Sequence, residues 1–362
     1  MHMNPQAEPL LSIRDLKVHF FMDEGVVKAV DGISLDVHPG QVFGIVGESG
    51  CGKSVTMKAL LRIVEPPGRI VSGEMLLRRP TKGGGTEVVD LAKLDARGAE
   101  MRDVRGGQIA LIPQEPMAAF SPVHTVGDQI IEAIRLHRDV NEREARKIAL
   151  QQLKDVGIPA AEQRLDAYSW QLSGGLRQRA MIAMALSCNP LILIADEPTT
   201  AVDVTTQAQV LRLLRRLQAE RNSAIIFITH DLGVIAQMAD FVTVMYLGLV
   251  MEQGPVDNIF HNPKHPYTRA LLESIPSIET APRQDLPTIK GTIPHPFNRP
   301  VGCPFYPRCE KFMPGICDKA TPALLPVGVA QGVGGPPMVG VPQGVGGQLV
   351  SCFLYQEVRV TA

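Results

Sequence analysis

Neither sign of charge dominates this chain: 36 Lys and Arg stand against 37 Asp and Glu in 362 residues. That balance leaves no global field suited to holding DNA or an anionic membrane surface, although a local basic patch is still allowed. Long apolar runs are missing too. No stretch approaches the roughly 18 residues of a membrane span, and the first residues, with Pro5, Glu8 and Pro9, lack the apolar core of a secretory leader. The expectation is a cytosolic chain, or one docked onto a membrane partner. Cysteine is sparse: six, outside a secretory context, argue for thiols or metal ligation over structural disulfides. The length suffices for a full core and about two domains.

What is present begins with an apolar run, Val42-Phe43-Gly44-Ile45-Val46, followed by Gly47-Glu48-Ser49-Gly50-Cys51-Gly52-Lys53-Ser54 and then Val55. This reads as a strand feeding a phosphate-cradling loop that opens a helix. The glycines let backbone N–H groups turn inward on an anion. Lys53 is placed to reach the β- and γ-phosphates of a nucleoside triphosphate, and Ser54 to ligate Mg²⁺.

Residues 10–46 alternate β-branched runs with turn residues such as His38-Pro39-Gly40, which suggests an antiparallel sheet leading into the loop. Apolar runs at 109–112, 191–195, 224–228 and 241–245 read as core strands. Helical patterns at 126–137, 142–156, 176–187, 205–221 and 232–239 lie between them. This alternation is that of an α/β domain, ending near 260. Beyond it, Pro263, Pro266, Pro276, Pro282, Pro287, Pro294 and Pro296 punctuate a segment that reads as a separate, irregular appendage. Residues 326–348 are a low-complexity Val/Gly/Pro/Gln stretch, expected to be a mobile loop without chemistry.

The run at 191–195 ends in Asp196-Glu197-Pro198. In an open parallel sheet, ligands gather at the carboxyl ends of strands, where the phosphate loop also lies. Asp196 is therefore expected to hold Mg²⁺ and Glu197 to polarise the water attacking the γ-phosphate; the bland reading of either acid is a turn cap. His230, after the run at 224–228, is placed to orient that water or donate to the γ-phosphate, or is simply a hydrogen-bonded core histidine. Gln114, after 109–112, is placed to reach Mg²⁺ or the water. Leu172-Ser173-Gly174-Gly175-Leu176-Arg177-Gln178-Arg179 offers a second helix start with a hydroxyl and bare N–H groups. Alone it would be a plain N-cap. One nucleotide cannot readily use two such cradles in one chain, so the pairing suggests that two subunits share each nucleotide.

Together these residues resemble the ATP-binding cassette of transporters over about 10–260. The Walker A loop is 47–54, the Q-loop Gln114, the signature 172–178, Walker B Asp196 and Glu197, the D-loop Ala201-Val202-Asp203, and the switch His230. The resemblance implies a P-loop NTPase fold. Its parts are a RecA-like parallel-sheet core, an antiparallel β subdomain and an inserted helical subdomain at about 115–190, followed by a Cys-containing extension at 261–362. It implies a head-to-tail pair in which Ser173, Gly174, Gly175, Gln178 and Asp203 serve the nucleotide bound by the partner's loop. It names Phe20 as the aromatic that stacks on adenine, with Phe21 as the competing choice. Residues 199–210 and the run His261-Asn262-Pro263-Lys264-His265-Pro266-Tyr267-Thr268-Arg269-Ala270-Leu271-Leu272 look like the cassette subunits of dipeptide and oligopeptide importers, a group shared with nickel importers.

The implied partners are a second cassette, more often different than identical, two membrane permease chains docking near 117–123, and an extracytoplasmic solute-binding protein. Nucleic acid is not among them, and the implied location is the cytoplasmic face of the inner membrane. A soluble cassette ATPase acting on DNA or ribosomes is the competing class, but those members carry long insertions or paired cassettes that this chain lacks.

Cys303, Cys309, Cys317 and Cys352 form a C-x5-C-x7-C-x34-C pattern in the Pro-rich segment. Four soft ligands suit a [4Fe–4S] cluster or tetrahedral zinc, and the missing C-x2-C knuckle favours iron–sulfur. Peptide-importer subunits that this chain resembles carry such a cluster, whose expected role is to staple the extension. Cys51, inside the loop, has no ligand role, and Cys188 is expected to be packed.

Overall fold

A computed structural model describes residues 8–81, 83–115, 119–199, 203–275, 288–327 and 347–356. Ala201 and Val202 of the D-loop, residues 117–118 of the expected permease groove and residues 328–346 of the low-complexity stretch lie outside them.

β3 (Val42–Val46) is buried at all five positions. Its alternate side chains enter two different hydrophobic clusters: Val42 and Val46 join one, Phe43 and Ile45 the other. A strand covered on both faces has to be apolar throughout, which is why it reads as a continuous run. The same holds for β8 (Ala224–Ile228) and β9 (Phe241–Tyr246), and nearly so for β6 (Ile109–Ile112) and β7 (Ile192–Asp196). Each fully buried Val, Ile or Phe contributes about 1.5–3 kcal/mol. These five strands pair in parallel in the order β9-β3-β8-β7-β6. The carboxyl ends of β3, β6, β7 and β8 therefore deliver the phosphate loop, Gln114, Asp196-Glu197 and His230 to one edge.

One face of this sheet carries a four-stranded antiparallel sheet, β2-β1-β4-β5, formed by β1 (Leu11–Met22), β2 (Gly25–Val37), β4 (Gly68–Pro80) and β5 (Thr86–Asp90). β4 and β5 come after the phosphate loop, so the sheet extends beyond the 10–46 stretch where the sequence suggests it. Between β6 and β7 lies a helical unit: Val126–His137, Glu142–Asp155, Ala161–Leu165 and Gly174–Leu186. Capping boxes at Thr125/Asp128 and Asn141/Glu144 start its first two helices by satisfying their orphan N–H groups.

The segment beyond 260 differs from the irregular appendage expected. Its β12 (Gln348–Val350) pairs antiparallel with β10 (Leu249–Pro255), and β11 (Leu325–Val327) pairs with β12, so two of its strands complete the large sheet's edge. Glu252 on β10 is fully buried and accepts hydrogen bonds from the Lys264 and His265 N–H groups and from Gln348 Nε2 at 2.7, 2.9 and 2.6 Å. Burial raises the Glu252 carboxyl above its usual range, against the pull of these donors. One buried acid thus ties two separate parts of the segment to β10.

Candidate functional site

The loop between β3 and the helix Lys53–Leu60 closes over a cavity of about 690 Å³, lined by residues 49–55 together with Ala29, Gln114, Glu197 and His230. Gly52 has φ 104°, and a Cβ there would overlap the Ala29 carbonyl; only glycine lets the loop pass this close to β2. Lys53 is buried, its Nζ donating to the carbonyls of Gly47 at 2.7 Å and Glu48 at 3.1 Å. Ser54 Oγ donates to Asp196 Oδ1 at 3.1 Å. A hydroxyl and a carboxylate facing each other at a strand end are the hard oxygen donors that suit Mg²⁺, which takes its remaining ligands from water and phosphate. Burial, with the neighbouring Glu197 charge, pushes the Asp196 carboxyl up, against the Ser54 hydrogen bond and the Lys53 charge.

Gln114, Glu197 and His230 meet at one carboxylate. Gln114 Nε2 donates to Glu197 Oε2 at 3.1 Å, and His230 Nδ1 lies 3.0 Å from Glu197 Oε1. Glu197 has φ 48°, a left-handed conformation costing a non-glycine residue about 1–2 kcal/mol. Its backbone N–H is tied to the Ile228 carbonyl at 2.8 Å, which fixes the turn that swings the carboxylate off the end of β7 into the cavity.

The signature residues stand elsewhere. Ser173 caps the helix Gly174–Leu186, accepting from Leu176 N–H, and Ser173 and Gly174 are exposed; neither lines the cavity. Asp203 caps the helix Val204–Arg221 through Thr206, and a Cβ on Gly175 would press on the Thr206 side chain, so the two helix starts adjoin. Gln178, expected beside them as a nucleotide contact, is only 2% exposed. It lies on the flank of its helix shared with buried Met181 and Ile182, turned into the core. Phe20 is also absent from the lining: its ring lies against Gly68, at the edge of the hydrophobic cluster, while Phe21 lies under the Arg69 guanidinium, 3.9 Å from the ring centroid.

Two contacts on the loop come from beyond residue 260 and are not visible in the sequence. Glu48 N–H donates to Tyr267 Oη at 3.0 Å. The Glu48 carboxylate accepts from Arg308 Nη1 at 2.7 Å and Nη2 at 3.1 Å. A lone Arg preceding a Cys in a Pro-rich stretch was the available signal, and it carries no address.

Of the four extension cysteines, Cys303 and Cys317 are buried and Cys309 packs against the same cluster. Cys303 N–H donates to the Cys317 carbonyl at 2.8 Å, and β12 brings up Cys352. Burial, reinforced by the charges of the other three thiols, pushes Cys303 up to about 12; burial with Cys309 and Cys317 takes Cys352 to about 11. Four thiols are by chemistry the soft donors that a thiophilic metal takes. Among the described residues, however, no group of three or more Cys, His, Asp or Glu has closed into a metal-holding arrangement. Cys51 is buried against Lys53, and burial raises its thiol.

Residues 30–200 match the ABC transporter family, and residues 251–317 match the oligopeptide/dipeptide transporter C-terminal region. A Sinorhizobium fredii protein named "Probable peptide ABC transporter ATP-binding protein" is 46% identical over 325 residues, 90% of this chain and 93% of that protein. The dipeptide transport ATP-binding protein DppD of Bacillus subtilis is 46% identical over 316 residues, 87% and 90% of the two chains. Among solved structures, the dimeric bacterial ABC transporter cassette MJ0796 matches with a TM-score of 0.58 at 26% identity, over 68% of this chain and 98% of that one. The chain belongs to the ATP-binding subunits of ABC transporters, in the branch that carries the oligopeptide/dipeptide transporter C-terminal region.

Proposed function

We propose that this chain is the ATP-hydrolysing subunit of an importer for di- and oligopeptides. The observation that carries the chemistry is the meeting of Gln114 and His230 on the Glu197 carboxylate at the mouth of the phosphate-loop cavity. Glu197 takes the proton of the attacking water, while Gln114 and His230 hold the carboxylate and the water in line. Lys53 and the loop N–H groups bind the phosphates. Ser54, Asp196 and Gln114 are the groups that would hold Mg²⁺, which neutralises phosphate charge when bound. The aromatic assigned to the adenine is Phe20, whose ring stands beside Gly68 and outside the lining of the phosphate cavity. The peptide cargo rests on the names of the S. fredii and B. subtilis relatives and on the matched C-terminal region.

The exposed Ser173 and Gly174, outside the chain's own cavity, support a composite site in which they cover the nucleotide of a second cassette facing head to tail, a different chain in the heterodimer we favour. No helix among the described residues is long and apolar enough to cross a membrane, so the translocation path belongs to two permease chains, with this subunit on their cytoplasmic face and a solute-binding protein delivering cargo outside. Reconstituted with those chains in proteoliposomes, the complex is expected to accumulate labelled dipeptide only with ATP. ATP turnover that no peptide stimulates, with no uptake, would refute the importer reading.

Cys303, Cys309, Cys317 and Cys352 are the residues that would hold a [4Fe–4S] cluster, whose chemistry here is to cross-link a segment with little core of its own. Anaerobically purified protein is expected to be brown, with about four iron atoms per chain for a cluster of that type. Cys303→Ala should lose the iron and become protease-sensitive beyond residue 288. One zinc per chain without iron would replace the assignment with a zinc staple.

A further inference from the structure

Glu48 is an acid inside a loop built to bind an anion. Left bare, its carboxylate would repel the triphosphate that the neighbouring N–H groups and Lys53 attract. The structure answers this charge from a distance of 260 residues: the Arg308 guanidinium engages both Glu48 oxygens in a fork. The Arg308 side chain is 4% exposed and that of Glu48 20%, so little water screens the pair. Arg308 is itself held. Its Nη1 also donates to Tyr246 Oη at 3.2 Å, and its Nε to the Lys290 carbonyl at 3.1 Å. Phe305 completes a three-ring cluster with Tyr246 and Tyr267: its centroid lies 5.5 and 5.2 Å from theirs, which are 4.8 Å apart. Tyr267 rides on the helix Pro266–Glu273, whose start is set by His265, and its hydroxyl takes the Glu48 N–H.

We propose that Arg308 and Tyr267 are positioning residues of the phosphate loop, by which the C-terminal extension sets the affinity of this chain's own nucleotide site. Arg308 cancels the Glu48 charge and fixes its side chain; Tyr267 fixes the backbone at the same residue, so the loop is held in its anion-receiving shape before any phosphate arrives. Neither lines the phosphate-loop cavity. A fork of this kind, bidentate and shielded, leaves an uncompensated acid when its cation is removed. The inference rests on the nucleotide reading of the loop and adds a role for the extension that differs from holding metal or adding strands.

The test is equilibrium binding of a fluorescent ATP analogue to the full chain, together with the KM and kcat for ATP of the assembled transporter. Arg308→Ala is expected to weaken binding about tenfold, a difference of about 1.4 kcal/mol, and to raise KM while kcat changes by less than about twofold. Adding Glu48→Gln to Arg308→Ala should restore most of the affinity, because no bare charge is left; Arg308→Lys should fall between. Tyr267→Phe, which keeps the ring packing, is the independent variant should Arg308→Ala fold poorly, and a three- to fivefold weakening is expected from the lost acceptor. Unchanged affinity in Tyr267→Phe and Arg308→Ala, or a loss in Arg308→Ala that Glu48→Gln does not relieve, overturns the proposal and leaves Arg308 as a staple of the extension. Failure of the unmodified chain to bind the analogue would instead refute the nucleotide site itself.

Discussion

Glu197→Gln in the assembled transporter is expected to bind ATP as tightly as the unmodified protein and to hydrolyse it about a thousandfold more slowly, within the range removed when a general base is lost. The amide keeps the shape of the carboxylate and can still meet Gln114, so the turn at φ 48° and the cavity should persist. What disappears is the acceptor for the water's proton. The measurement is phosphate release under saturating ATP, with nucleotide retention read by filtration. Turnover close to that of the unmodified complex would move the base elsewhere, and His230, on the other oxygen of Glu197, would be the group to examine next. His230→Ala should fall less far, because its ring is 64% exposed and acts by orienting groups already tied to Glu197.

Lys53→Ala is the second large effect. Its ammonium is the one cation lining the cavity among the described residues, and it is held by two loop carbonyls, those of Gly47 and Glu48. Removing it takes away both the charge that meets the β- and γ-phosphates and the group that satisfies those carbonyls. Affinity for ATP should fall on the order of 100-fold, with peptide uptake in proteoliposomes falling to background. Melting of the nucleotide-free protein should move by only a few degrees, since Lys53 belongs to no hydrophobic cluster. Undiminished uptake would detach transport from this cavity altogether.

The parts of the fold that could be read from the residues are those whose burial leaves a local trace. β3, β6, β7, β8 and β9 are apolar runs because both faces are covered, and the loop, Gln114, Asp196-Glu197 and His230 follow from where such strands end. β4 escaped notice because its pattern is half exposed and interrupted by charges, as suits a strand with one wet face. β10 escaped for a different reason: it contains Glu252, Gln253 and Gly254, which look like a turn until the donors that meet Glu252 are known to come from 264, 265 and 348. The inward turn of Gln178 shows the same limit at the side-chain level, because helical spacing alone does not say which flank of the helix is covered by the core. Likewise, the run around His265 and Tyr267 was legible only as a resemblance. Its physical task, to set a helix start that carries a hydroxyl to Glu48, depends on a contact across more than 200 positions.

The seam between β10 and β12 bears on how the polypeptide is made. A sheet whose central strand starts at Val42 gains the outer neighbour of β10 only from Gln348–Val350, so ribosomal synthesis must reach residue 350 before β10 is paired on that side and Glu252 has its last donor. Until then the emerging chain presents an unpaired strand beside a carboxylate awaiting its amide, the kind of edge that recruits other chains. Shortened versions stopping near residue 260 would keep that exposed border permanently, and should be harder to keep in solution than the intact protein.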